Sequence, residues 1–200
     1  MSIYALKPKF QALLRPLVRG LYKLGVTANQ VTLFACAISV ALGLWLLLGQ
    51  PPRTAFALVP LWMFLRMALN AIDGMLAREF GQQSKLGALL NELTDVLADA
   101  ALYAPFALLA PLQPVAVGAV IVLAGLTEFA GALGPTIGAS RRYDGPFGKS
   151  DRAFVFGALG LWAALSTGWP AWLAWLMPLL VLATLWTLIN RMRRALTEAG

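Results

Sequence analysis

The chain of 200 residues contains no histidine at all, a single cysteine and few charges, with Asp and Glu together numbering nine. The missing histidine excludes imidazole metal ligands and an imidazole general base. Cys36 alone rules out an internal disulfide, and it is expected to fill space in an apolar helix. Charged residues make up 12% of the chain and hydrophobic ones 60%, whereas a soluble domain is nearer one quarter charged and half apolar. What is abundant is apolar sequence in runs, each close to the roughly 20 residues that cross a bilayer as a helix. The fold class expected is therefore all-α and polytopic in a membrane, because helices satisfy their own backbone in lipid.

Residues 1–25 interrupt their apolar positions too often to span. Leu6, Phe10, Leu13, Leu14, Leu17, Val18 and Leu21 form a stripe at helical spacing, broken by Lys7, Lys9, Arg15, Arg19 and Lys23. This pattern predicts an amphipathic helix lying on an anionic membrane surface, bent at Pro8 and Pro16. The first long run lies too far along, behind this basic segment, to read as a cleaved signal peptide. Thr27 and Asn29 offer caps for the next helix. Residues 26–200 then form a domain of six expected spans, near Val31–Gly49, Ala55–Arg78, Leu86–Ala110, Val115–Ile137, Arg152–Leu165 and Trp172–Ile189.

Of the 16 Lys and Arg, 14 fall on the side of the termini and of the segments 79–85 and 140–149. Arg53 alone falls on the other side, and Arg66 lies within a span. By the bias of basic residues toward the cytoplasm, both termini are expected there. The net charge of +7 thus reads as orientation in a bacterial inner membrane and attraction to its lipids, with no nucleic-acid partner. Trp162, Trp169, Trp172 and Trp175 read as an interfacial belt on the outer side.

Ionisable and amide side chains inside spans are costly and call for a reason. The second expected span holds Arg66, Asn70 and Asp73, with Arg78 at its end, and the third holds Asn91, Glu92, Asp95 and Asp99. Asn70, Asp73 and Ala77 share one helix face, and Asn91, Asp95 and Asp99 share another. Counted from the cytoplasmic ends, Asp73 and Asn91 lie equally deep, as do Asn70 and Asp95. An antiparallel hairpin brings these four together roughly 8 to 13 Å below the boundary, at 1.5 Å per residue. Carboxylates and amides gathered without basic partners suit a hard divalent cation, Mg2+ or Mn2+. Gly74 leaves the backbone open to a ligand. Arg66 and Asp99 lie at matching depth and are expected to neutralise each other, with Glu128 a rival partner for Arg66. Arg141, Arg142, Lys149 and Arg152 form a basic cluster that either reflects the orientation bias or receives an anionic head group.

From Asn70 through Asp73-Gly74, Ala77-Arg78 and Gly87 to Asn91 and Asp95, the spacing resembles the signature D-x2-D-G-x2-A-R-x8-G-x3-D-x3-D of the CDP-alcohol phosphatidyltransferase family. The chain resembles an inner-membrane bacterial branch carrying Asn at the first and third aspartate positions. The Thr27–Thr32 stretch is similar to that family's T-P-N-x-x-T segment, with Ala28 in place of proline, and Gly148-Lys149 resembles its G-K segment.

The resemblance implies a metal-dependent transferase of phospholipid biosynthesis. A CDP-linked lipid donor passes its phosphatidyl-type group to a small alcohol, and CMP leaves. It implies Asp73, Asn70, Asn91 and Asp95 as ligands of Mg2+ or Mn2+, with Glu92 and Asp99 as further candidates. Asp95 becomes the catalytic base, and Gly74, Ala77, Arg78 and Thr32 contact the CDP moiety. Homodimers are common in that family. Two other readings remain open: a member that binds CDP-lipid without turnover, and a lipid transporter. The near-absence of polar residues in the outer half argues against the transporter.

Overall fold

The computed structural model describes residues 6–200, with side chains from residue 8 onward. Leu6 and Lys7 of the expected amphipathic stripe therefore lie outside the described side chains, and residues 1–5 outside the description altogether. The described residues form seven α-helices and no strand: α1 (Leu6–Lys23), α2 (Ala28–Leu48), α3 (Leu58–Glu79), α4 (Lys85–Tyr103), α5 (Pro114–Leu133), α6 (Lys149–Leu165) and α7 (Leu176–Ala199). Short 3-10 turns lead into α3 and α7 and extend α4 and α5.

Among the described residues, four segments are long and apolar enough to cross a membrane: Ala28–Leu48, Arg53–Glu79, Pro114–Ile137 and Ala171–Ala199. The chain is a membrane protein with multiple apolar helices. Of the six expected spans, α4 and α6 do not pass on length and composition. α4 carries Glu92, Asp95 and Asp99, and α6 has 17 residues and opens with Lys149, Asp151 and Arg152. α7 continues ten residues past the expected Ile189, because Arg191 turns inward and is buried, so the charge that ends the apolar run does not end the helix.

The bundle has one charged end and one plain end. Two apolar clusters hold it. Near the plain end Tyr103 stacks on Phe156 with centroids 4.0 Å apart, and Phe106 meets Phe56 and Phe156 edge-on. There the guanidinium of Arg53 lies over Trp169, and Trp162 packs beside Trp169 and Trp172. At the charged end Val18 of α1 packs with Ala28, Val31, Ile72, Met75 and Leu76. The α1 stripe is therefore divided. Leu14, Val18 and Leu21 face the bundle, while Leu13 and Leu17 remain exposed.

α2 and α4 cross at Gly43, where a Cβ would lie 2.1 Å from the carbonyl oxygen of Ala101. Small residues let membrane helices approach this closely. The start of α2 is fixed by a capping box between Thr27 and Gln30, which satisfies the first free backbone N–H groups. Ser84 caps α4 in the same manner by accepting from Gly87 N. Gly87 has a second task. A side chain there would meet Asn29 Oδ1 at 2.8 Å, so its hydrogen allows the starts of α2 and α4 to close up. The expected second cap, Asn29, instead lies inside α2 and faces α4.

Candidate active site

Two cavities open at the charged end and share one wall. The first, about 690 Å³, lies between α2, α3 and the start of α4, and Thr32, Asp73, Gly74, Ala77, Arg78 and Lys85 line it. The second, about 440 Å³, lies among α4, α5, α6, α7 and the 140–148 segment. Asn91 and Glu92 line both. The hairpin of α3 and α4 thus places Asp73 on one side of the shared wall and Asp95 on the other. A third, more apolar groove of about 710 Å³ runs between α3 and α6, past Met63, Phe64, Met67, Phe154 and Leu161, to Arg66, Asn70 and Lys149.

Asp73 is 6% exposed and accepts a hydrogen bond of 2.7 Å from Thr32 Oγ1. Thr32 Oγ1 also lies 3.1 Å from Ala28 O, so its single proton is shared between that carbonyl and the nearer carboxylate. Asp73 makes no ion pair among the described residues. Arg78 and Lys85 line the same cavity and are likewise unpaired among the described residues. A Cβ on Gly74 would meet the guanidinium of Arg78 at 2.8 Å, so the glycine also gives that side chain room to fold over α3. Gln82 clamps the loop below by accepting from Ala28 N at 2.7 Å. Gln82 and Gln83 line the cavity, and nothing in their sequence setting distinguishes them from any polar loop residue.

Asp95 is placed differently. Its Oδ1 accepts from Arg66 at 2.8 Å and from Asn70 Nδ2 at 3.3 Å, and its Oδ2 pairs with Lys149 Nζ at 2.5 Å. Arg66 also pairs with Asp99, as their depths predict. Glu92 pairs with Arg141. The expectation of carboxylates and amides gathered without basic partners therefore fails for Asp95 and stands for Asp73. The reason is topological: α6 and the 140–148 segment fold back over α4, a contact that hairpin spacing does not reveal. Glu128 does not pair with Arg66. It pairs with Arg152 at 2.8 Å and Arg191 at 3.4 Å, and both arginines are almost fully buried. Arg152 is thus removed from the expected basic surface cluster. Arg142 turns away from the cavities to Asp144 and Glu198.

Does this arrangement fit a divalent cation? A buried carboxylate with no counter-charge is costly, and Asp73 is one, facing a polar cavity that also offers Asn91 and Glu92. Asn70 lies outside that cavity: it gives its amide N–H to Asp95 and lines the groove between α3 and α6. Oxygen donors of this kind suit Mg2+ or Mn2+, so the Asp73 side fits an ion. The Asp95 side fits less well, because two cationic side chains already hold its oxygens. No three acidic or cysteine side chains converge as a complete metal cage among the described residues.

Residues 25–186 match the family model described as CDP-alcohol phosphatidyltransferase. Inner membrane protein YnbA of Escherichia coli is 50% identical over 196 residues, covering 98% of this chain and 97% of that protein. The phosphatidylinositol phosphate synthase of Corynebacterium glutamicum is 34% identical over 103 residues, which is 52% of this chain and 45% of that enzyme. The crystal structure of phosphatidylinositol phosphate synthase from Mycobacterium tuberculosis with CDP-DAG bound has a TM-score of 0.76 at 24% identity, covering 92% of this chain and 94% of that one. The same enzyme in complex with manganese and citrate also gives 0.76 at 24% identity, over 92% and 90% of the two chains. At this identity the likeness is one of fold.

Proposed function

The chain belongs to the CDP-alcohol phosphatidyltransferase family, and we propose that it carries out that transfer with the first cavity holding the donor nucleotide and the second the acceptor. The observation that carries the assignment of roles is the shared wall. Asn91 and Glu92 line both cavities, with Asp73 facing one and Asp95 the other.

In the donor cavity Arg78 and Lys85 are available for the pyrophosphate of a CDP-linked lipid, and Ala77 and Gly74 leave space beside them. Thr32 orients Asp73 and completes that wall. The apolar groove between α3 and α6 suits the acyl chains, which then stay in lipid while the nucleotide reaches in from the charged end. Asp73, with Asn70, Asn91 and Glu92 as oxygen donors, would hold Mg2+ or Mn2+, whose chemistry is to polarise the phosphoryl group and offset the charge of the leaving nucleotide.

Asp95 accepts the proton of the acceptor hydroxyl. Each of its oxygens has more than one lone pair, so its contacts with Arg66 and Lys149 fix its position and leave room for that bond. The acceptor oxygen bonds to the phosphorus beside the lipid, the bond from that phosphorus to the bridging oxygen breaks, and CMP leaves. Asp99 anchors Arg66 from the far side of this arrangement.

The charged end faces the cytoplasm on this reading, with both termini there, all six helices from α2 to α7 crossing the inner membrane, and α1 lying at the interface. The Asn residues at positions 70 and 91, and the pairing of Asp95, favour one alternative: a member that holds CDP-lipid without turning it over. Purified protein in lipid nanodiscs with CDP-diacylglycerol and Mg2+ or Mn2+ decides between them. Release of CMP that needs both metal and an alcohol is the expected result. Thermal stabilisation by CDP-lipid without CMP release selects the binding reading, and neither effect sinks both.

A further inference from the structure

The 140–148 segment joins the end of α5 to α6 without regular structure, and it forms one wall of the second cavity through Arg141, Tyr143, Gly145 and Gly148. Irregular backbone is held by what packs behind it, and two helices do so here. On the α5 side Arg142 N donates to Gly131 O at 3.2 Å, and a side chain at Gly131 or Gly134 would collide with the carbonyl oxygens of Arg142 and Ser140. On the α7 side Phe147 N donates to Thr187 Oγ1 at 3.0 Å, and Arg191 Nε donates to Asp144 O at 3.3 Å.

Two turns beyond Arg191, on the same face of α7, Glu198 adds the last hold. It accepts from Ser140 N at 3.0 Å and from Ser140 Oγ at 2.9 Å, and it pairs with Arg142. One carboxylate thus gathers three donors from the two residues that flank Arg141. Arg141 itself lies over the ring of Tyr143 and reaches Glu92, on the wall common to both cavities. Glu198 lines neither cavity, and its side chain is 39% exposed. Ion pairs so exposed add little to the stability of a fold. What this one fixes is the path of the backbone through residues 140–142.

We propose that Glu198 is a positioning residue for the transfer: from outside both cavities it sets the place of Arg141 and Tyr143 in the wall of the second. This rests on the assignment of the second cavity to the acceptor. Whichever group Arg141 meets once substrate and ion are bound, its reach is set by the backbone that Glu198 holds. A wall already in place need not be ordered when the acceptor arrives. A loosened wall is competent in only a fraction of molecules, and the apparent affinity falls by that fraction. The effect belongs to the acceptor, because the first cavity is built from α2, α3 and the start of α4.

The experiment uses the full chain in nanodiscs with CDP-diacylglycerol, Mn2+ and whichever of glycerol 3-phosphate, inositol 1-phosphate or serine the wild type turns over fastest. Glu198→Ala should raise the KM for that acceptor about fivefold, the factor to which one exposed ion pair amounts at the upper end of its range. The KM for CDP-diacylglycerol and kcat should stay within about twofold, the pattern of an interaction that serves acceptor binding alone. Glu198→Gln keeps an acceptor for Ser140 N but loses the charge facing Arg142, so its acceptor KM should fall between the two. The thermal midpoint should stay close to that of the wild type. An acceptor KM unchanged in Glu198→Ala, or a donor KM that rises equally, overturns the proposal.

Should the wild type release no CMP with any of these acceptors, the transferase reading fails separately, and amide hydrogen exchange decides whether Glu198 holds the segment. The amides to follow are those of Arg142 and Phe147, whose own hydrogen bonds go to Gly131 and Thr187 and not to Glu198. Faster exchange at both in Glu198→Ala, with α5 unchanged, supports the positioning role. Exchange equal to that of the wild type overturns it.

Discussion

Two acidic residues of one motif sit on facing helices and meet opposite fates. Asp73 on α3 is buried, unpaired with any cation among the described residues, and oriented by a neutral hydroxyl. Asp95 on α4 is less buried and held by Arg66, Lys149 and Asn70. The same contrast extends to the cavities they face. The cavity beside Asp73 keeps Arg78 and Lys85 unpaired among the described residues, while every cation lining the cavity beside Asp95 is matched. In a medium of low dielectric such differences dominate, since Coulomb terms grow as water is excluded. The difference teaches that spacing in a motif locates carboxylates but does not say which of them retains its charge for a ligand. The elements packed over the hairpin decide that.

The most severe way to break this comparison is to remove the unpaired charge. Asp73→Asn keeps the shape and the contact with Thr32 but takes away a carboxylate that no cation compensates among the described residues. Turnover measured as CMP release should fall about a thousandfold or more, as for other losses of electrostatic support in a transition state. Stability should be equal or higher, because a buried charge has been removed. A variant retaining a tenth of wild-type activity would move the cation site to the Asp95 side.

Arg66→Met attacks the other half. It leaves Asp99 and part of Asp95 uncompensated within the bundle, where breaking a buried pair costs about 3 kcal/mol or more. The expected sign is a marked fall in thermal stability. Adding Asp99→Asn should restore much of that loss, because the stranded charge is then gone. A double variant no more stable than Arg66→Met would show that the guanidinium works through packing rather than charge.

These contrasts were partly legible beforehand. Helical periodicity and equal depth were enough to pair Asn70 with Asp95 and Arg66 with Asp99, because a hairpin joined by five residues leaves little freedom of register. The family signature pointed to Asp73, Gly74, Arg78 and Gly87, and the structure adds what two of the glycines do: Gly74 makes room for Arg78, and Gly87 for Asn29. What could not be read was everything that α6, α7 and the 140–148 segment bring back over α4. Glu128 shares no period or spacing with Arg152 or Arg191, 24 and 63 positions away along the chain. Their pairing follows from helix packing alone. α4 and α6 fall short of a span for local reasons: α4 carries Glu92, Asp95 and Asp99 among its apolar residues, and α6 is 17 residues long.

Lys149→Met sharpens the comparison by making Asp95 resemble Asp73. With Arg66 as its only remaining cationic partner, Asp95 should gain affinity for Mn2+. Titration followed by electron paramagnetic resonance should change from one tightly held ion per chain toward two, since oxygen-rich acidic sites favour such ions. Activity should fall about tenfold, the scale on which a misplaced general base slows proton transfer. Two tight ions already present in the wild type would mean that Lys149 and Arg66 yield Asp95 to metal readily, and that the asymmetry between the halves disappears on loading.

The smallest effect belongs to Thr32→Val, which tests how far the Asp73 side depends on neutral support. Valine matches threonine in shape, so the α2 to α3 packing should survive, and Thr32 sits in a fully helical stretch where its hydroxyl already returns to Ala28 O. What is lost is one hydrogen bond of 2.7 Å to the carboxylate, worth about 1.5 to 3 kcal/mol when one partner is charged. In the metal-free protein that bond offsets part of the burial of Asp73, and its loss should lower thermal stability slightly. With Mg2+ or Mn2+ present the ion takes over that task, so the stability difference between variant and wild type should shrink as metal is added. The apparent metal affinity should change by no more than about tenfold, the factor that 1.4 kcal/mol represents. A stability gap that stays constant across a metal titration would mean that the ion does not sit against Asp73, and the two acidic residues would then have to exchange roles.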